Sequence, residues 1–268
     1  MCIVAIKAGS RFETSPGVAA MLAAGRSMTS LSHTSFLQNQ QLAHAGATLT
    51  AKNTRDHIVY TLTCGPKLIG EMFTDVVAPA IFKSEMWQWE IDNLERGLNN
   101  GQASGCMVDK LHEVSFVGGL ATPTGVPAHR LGKGSMFKPD HTTDHSMYYV
   151  PTPQLEPTRI TTAEMCDHVA AHYKHGNISI FTSGMSQSAH EMAAMTVSDY
   201  ANDGGASAAP ASRFVSGEYR NNTSGAVSGF VGLPSAAAGA ADQAAHNIIA
   251  HAMGGAVHSY ISLKNENN

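Results

Sequence analysis

Residues 47–64 read ATLTAKNTRDHIVYTLTC, and this stretch decides the fold class. Ala47, Leu49 and Ala51 alternate with Thr48, Thr50 and Lys52, which is the two-residue period of a half-buried strand. Asn53-Thr54-Arg55-Asp56 supplies turn chemistry, and Ile58, Tyr60, Leu62 and Cys64 restore the alternation on the far side. The segment therefore predicts an antiparallel hairpin with one buried face. Upstream, Val4 and Ile6 alternate in a short strand that ends at Gly9-Ser10-Arg11-Phe12-Glu13. An Ala-rich helix follows Pro16, a residue suited to a helix's first turn, and a second helix spans Ser35 to Ala45.

Downstream of the hairpin, Leu68, Ile69, Met72, Phe73, Val76 and Val77 form a broad apolar stripe in a helix that starts at Pro66. Trp87, Ile91, Leu94 and Leu98 form a second stripe. Thr161-Thr162-Ala163-Glu164 is a capping box opening a helix that carries Met165, Val169 and Tyr173. A strand at Asn177–Thr182 leads to one more helix after Ser186. Strands interleaved with helix pairs, with a hairpin among them, indicate an α+β fold: an antiparallel-rich sheet packed with helices.

Residues 1–201 are expected to form one full domain, with the Pro-rich segment 134–159 as an inserted loop. Residues 202–212, small and nearly uncharged, read as a flexible linker. From 213 to 268 the pattern restarts, with strands at Arg213–Tyr219 and Ala226–Val231 and a helix from Ala240 to Met253. These would open a second, similar domain, completed by another polypeptide or by further chain.

Charge narrows the function. The 268 residues hold 17 basic and 21 acidic side chains, a net charge of −4, so no basic surface points to nucleic acid. Charged residues make up 14% of the chain, too few to cover its surface, and partner proteins are expected to shield much of it. Cys2, Cys64, Cys106 and Cys166 lie far apart and fit a reducing compartment. The uncharged stretches 221–241 and 243–263 are broken by Gly, Pro and His, unlike a bilayer span.

Motif chemistry is thin. His141-Thr142-Thr143-Asp144-His145 imitates an inverted zinc motif, yet it lies between prolines without the helical pattern that would put both imidazoles on one face. A metal-dependent hydrolase using His141 and His145 is the alternative that this motif leaves open. His168, His172 and His175 follow helical spacing and are read as the polar face of their helix. His246 and His251, five apart, do not stack on one face. Gly132-Lys133 fails as a phosphate loop because Gly134 stands where Ser or Thr should be. Gly225-Ala226-Val227-Ser228-Gly229 has the wrong spacing for a nucleophile elbow.

Gly9–Glu13, Gly46–Ala51, Thr54-Arg55-Asp56 and Val59-Tyr60 together resemble the zinc-peptidase family of mitochondrial processing peptidase and the core proteins of the cytochrome bc1 complex. Trp89-Glu90-Ile91, Arg130-Leu131-Gly132-Lys133, Gly184-Met185-Ser186 and His246–Gly255 resemble the core-protein branch. Active members of the family carry His-x-x-Glu-His on the helix entered at the equivalent of Gly17. Read forward without a gap, those positions are Ala20, Met21, Leu22, Ala23 and Ala24. The distal glutamate ligand would fall near Glu90 or Glu95, and one carboxylate cannot hold zinc alone.

The resemblance therefore implies an inactive peptidase homologue with no catalytic, cofactor or metal residues. It implies a structural core subunit of respiratory complex III on the matrix side of the mitochondrial inner membrane, peripheral to the lipid. Core protein 1, cytochrome b, cytochrome c1 and the Rieske protein would be its partners. A non-catalytic, presequence-binding subunit of a processing peptidase is the alternative within the family.

Overall fold

Cys2, Val4 and Ile6 are buried while Ile3 and Ala5 are half-exposed, so the first strand, β1 (Cys2–Ile6), has one face on the core. The computed structural model describes residues 1–101, 107–127, 130, 159–215, 217–218 and 240–252. The hairpin read from 47–64 is present as β2 (Thr48–Asn53) and β3 (Ile58–Thr63), with Leu49 opposite Leu62. Its turn is closed by Thr54, whose hydroxyl donates to the His57 carbonyl (2.8 Å) and accepts from the His57 N–H (3.0 Å). With β5 (Ile178–Thr182) these strands form one antiparallel sheet in the order β2-β3-β1-β5. Val4 faces Tyr60 on one side and Ile180 on the other.

Helices cover the buried face. α1 (Val18–Ala24) packs on β2 and β3, and α2 (Ser35–His44) on β2. The helix expected from Pro66 is instead broken into α3 (Ile69–Glu71), a π turn over Met72–Val77, and α4 (Ala78–Phe82). Pro79 explains the slip: it has no N–H to donate, and the hydrogen bonding widens to Ala78 N–H on Phe73 O just before it. Of the expected stripe, Ile69, Phe73, Val76 and Val77 are buried, whereas Leu68 lies at the surface. Each fully buried side chain of this size contributes about 1.5–3 kcal/mol.

α5 (Gln88–Gly101) buries Ile91 and half-buries Leu94 and Leu98. Trp87, expected in the same stripe, precedes the helix and is exposed, its ring 6.0 Å from that of Trp89. α6 (Met107–Ser115), which no sequence signal marked, runs into β4 (Phe116–Gly118). The capping box at Thr161 forms as expected and opens α7 (Thr162–His172), followed by β5 and α8 (Gln187–Tyr200).

By backbone packing the chain separates into two units, Met1–Gly225 and Ala226–Asn268. The strand expected at Arg213–Tyr219 to open a second domain instead contributes β6 (Ser212–Phe214) to the first unit. It pairs with β4, and Phe214 lies edge-on to Phe116 with ring centroids 5.6 Å apart. In the second unit the described element is α9 (Gln243–Ala252), inside the helix expected there. The expected strand Ala226–Val231 and the insertion 134–159, apart from Arg159, lie outside the described residues.

Candidate functional site

The helix that would carry a zinc motif is placed by the turn before it. Gly9 sits against the hairpin turn, donating its N–H to Asp56 O (3.2 Å), while Ser10 N–H reaches Thr54 O (3.1 Å) and Arg11 N–H reaches Arg55 O (2.8 Å). A Cβ at Gly9 would lie 2.6 Å from both Arg55 O and His57 N, so only glycine fits. The Arg11 guanidinium meets Asp56 at 3.4 Å, and the Phe12 ring packs 5.6 Å from the His172 ring. Glu13 then folds back over the helix start, accepting from Gly17 N–H (2.9 Å) and Ala19 N–H (2.6 Å). Burial lifts its carboxyl to about 7, against the pull of those two N–H donors and of Arg130. Gly17 takes φ +94°, and α1 follows with Val18, Ala19, Met21, Leu22 and Ala23 buried.

The five positions aligned with His-x-x-Glu-His thus all lie on α1. Ala20 and Ala24 are half-buried and Ala23 is buried. Their methyl groups have no lone pair for a metal and no base for water. Glu90 and Glu95, the positions nearest a distal ligand, are both buried on α5. Glu90 is already committed: its carboxylate accepts from Thr29 N–H (3.1 Å) and from the Thr29 hydroxyl (2.8 Å), tying down the loop after α1. Glu95 lies 4.0 Å from Arg159, and burial raises its pKa. Zinc asks for three or four converging donors, so these residues do not fit it. Among the described residues no three of His, Cys, Asp and Glu converge as a ligand set.

The end of α1 opens on a pocket of about 430 Å³. Ala24 and Met28 line one wall, Ser35 and Asn39 of α2 a second, and Trp89, Glu90, Leu94 and Leu98 of α5 a third. It is a mostly apolar hollow with amide groups at its rim and with no nucleophile paired to a base.

The histidines of α7 depart from expectation. His168 is buried and not on a polar face: its Nε2 donates to Ala8 O at 2.9 Å. Burial holds its pKa down at about 4, partly offset by that hydrogen bond. His172 is half-buried, its ring 4.8 Å from that of His168, and burial lowers its pKa as well. His175 lies beyond the helix, exposed, 3.6 Å from Asp203. The helix turns His168 inward because its neighbour in space, the chain just past β1, offers a carbonyl that needs a donor. No local sequence signal marks a partner 160 residues away.

Arg130 is buried and pairs with Glu164 at 2.6 Å. Burial would raise the Glu164 carboxyl, yet Thr161 N–H, the Ser15 hydroxyl and Arg130 outweigh it and leave it at about 2. His246 donates from Nδ1 to Asp242 O within its own helix. His141, Asp144, His145, the rest of the Gly132-Lys133 element and Gly225–Gly229 lie outside the described residues.

The antiparallel sheet, the glycine-locked turn and the short helix α1 make up an α+β fold of M16-peptidase type. Residues 1–125 match the family model of insulinase, peptidase family M16. The structure is similar to a peptidase M16 inactive domain from Pseudomonas fluorescens, with TM-score 0.56 and 17% identity, over 77% of this chain and 46% of that one. In particular, the chain is similar to cytochrome b-c1 complex subunit 2 of Mus musculus, 24% identical over 98% of this chain and 53% of that protein. The subunit of the same name in Homo sapiens is 27% identical over 48% of this chain and 30% of its own length. The chain thus spans about half the length of the mouse relative.

Proposed function

We propose that this chain is a non-catalytic core subunit of mitochondrial complex III, taking the place of core protein 2. In this reading it sits on the matrix side of the inner membrane, pairs with core protein 1, and scaffolds the subunits that carry cytochromes b and c1 and the Rieske centre. The observation that carries the reading is the run Ala20–Ala24 on α1, in a chain whose similarity to a cytochrome b-c1 subunit extends over nearly all of its length. The turn and helix of a peptidase are kept while each ligand and base position holds an apolar side chain. The apolar cast of the surface agrees, with Leu31, Phe36, Trp89 and Phe181 exposed. Among the described residues no helix is long and apolar enough to cross a membrane, which suits a peripheral subunit. Residues 213–268 would then open a second domain of the same type, although Ser212–Phe214 pair with a strand of the first unit.

The test is to tag the chain in its own mitochondria, extract with mild detergent and record the absorbance of the purified assembly. Co-purifying b- and c-type haem with core protein 1 is the expected result. Recovery without haem, in a complex that cleaves presequence peptides, would replace this reading with a processing-peptidase subunit.

A further inference from the structure

The stretch Asn202–Ser212 has the composition of a flexible tether, but its backbone is held along its length. At its start, Asn202 N–H donates to Tyr173 O (2.9 Å) and Asn202 O accepts from His175 N–H (3.1 Å). Gly204 O accepts from Gly176 N–H (3.1 Å). Asn177 grips Ser207 twice, accepting from its N–H at 2.7 Å and donating to its hydroxyl at 2.9 Å, while Lys7 Nζ reaches Ser207 O at 2.8 Å. Arg11 closes on Pro210 O with two donors, Nε at 3.1 Å and Nη2 at 2.7 Å. The chain then passes into the β4–β6 pairing at Ser212.

Glycines form the seat beneath it. A Cβ at Gly176 would lie 2.5 Å from the carbonyl carbon of Gly205, and one at Gly118 would strike Ala211 O. A Cβ at Gly119 would lie 2.6 Å from Arg11 Cγ and 3.3 Å from Pro210 Cβ. Small residues are needed on both sides of such a contact. Gly205 and Ala206 supply one side opposite Gly176, and Pro210, Ala211 and Ser212 lie against Gly118 and Gly119.

We infer that residues 202–214 are a rigid strap seated on Gly118, Gly119 and Gly176 and clasped by Lys7, Arg11 and Asn177. Its consequence is mechanical coupling. Arg11 belongs to the turn that places α1, so the chain is fastened to that turn just before it runs through β6. A pull on the residues after 214 is carried to the Gly9–Glu13 turn and is not absorbed by a slack tether. The inference stands on these contacts alone and does not depend on the complex III reading.

Limited digestion of the full chain by a protease that cuts after alanine tests it, because cleavage tracks how often the strap lifts. The expected result is that cutting between Ala206 and Ala211 is at least roughly tenfold slower than in a free peptide of the same sequence, and that Gly176→Val restores fast cutting. If Gly176→Val loses its helical circular dichroism, Lys7→Met with Ser207→Ala serves instead, since it removes two of the three hydrogen bonds that hold Ser207 and leaves the seat intact. Wild-type cleavage as fast as the free peptide would overturn the inference. So would a folded variant, Gly176→Val or the Lys7/Ser207 pair, cut at the wild-type rate.

Discussion

The turn Gly9–Glu13 and the helix it feeds stand side by side and have fared oppositely. In the turn, Ser10, Arg11 and Glu13 each use their side chain on a partner outside the turn, and Gly9 fills a gap that admits no other residue. In α1 the three positions aligned with the zinc ligands and base, Ala20, Ala23 and Ala24, are all alanine, with Met21 and Leu22 between them. The difference lies in packing: the turn is held by contacts on every side, and none of them depends on a metal. A turn that joins the hairpin, α7, α1 and the strap remains under constraint whether or not a metal follows it.

That contrast can be broken most violently at the turn. Gly9→Val should destabilise the chain by about 4 kcal/mol or more, because its side chain would overlap backbone atoms of the hairpin turn. Thermal unfolding would show it, and a folded variant with an unchanged midpoint would contradict the constraint. Refilling the helix is milder. Ala20→His, Ala23→Glu and Ala24→His together should cost about 3 kcal/mol, since position 23 is buried and a carboxylate there has no partner. Zinc titration of this variant should show weak binding at best and no peptidase activity, because bare ligands without partners that orient them hold a metal poorly. Full activity would show that α1 lost only its ligands.

The smallest expected effect concerns pH, where the two groups that hold the turn's ends oppose each other. His168 keeps a pKa of about 4 in the folded chain, so between about 4 and 6.5 the unfolded chain binds the extra proton and stability rises with pH. Glu13 is raised to about 7 from 4.5, so between those values the folded chain binds the extra proton and stability falls as pH rises. Over pH 4.5–6.5 these two slopes oppose each other, so their joint contribution to the unfolding free energy is small. Glu13→Gln should expose the rising slope and His168→Gln the falling one, each amounting to about 2 kcal/mol across that range. Parallel flat profiles in both variants would contradict the assignment. Below pH 4.5 the Glu164 carboxyl, at about 2, adds a loss of stability as acid protonates it.

Much of this arrangement is legible in the sequence because its signals are local. The hairpin follows from alternation and from turn residues, and the Thr161 capping box from a four-residue pattern; both recur in the structure with their hydrogen bonds. What escapes is decided across long separations. His168 at helical spacing beside Asp167 looks solvent-facing until the chain just past β1 brings the Ala8 carbonyl beneath it. Trp87 fits an apolar stripe by spacing but falls one residue before α5 begins. Small residues from 204 to 211 look like a tether because the glycines they rest on lie near positions 118 and 176. The absence of ligands on α1 is readable from the letters alone. The commitment of Glu90 to Thr29 is not, because it depends on a contact 61 residues apart in sequence.

Whether the chain holds a metal at all is decided by the zinc content of the purified protein. The protein is dialysed against zinc, freed of loosely held ion and measured by atomic emission. The account predicts a content far below one zinc per chain, unchanged in an Ala24→Ser variant. A tightly held stoichiometric zinc would contradict it, and its loss in His141→Ala would move the chemistry to the histidine pair at 141 and 145.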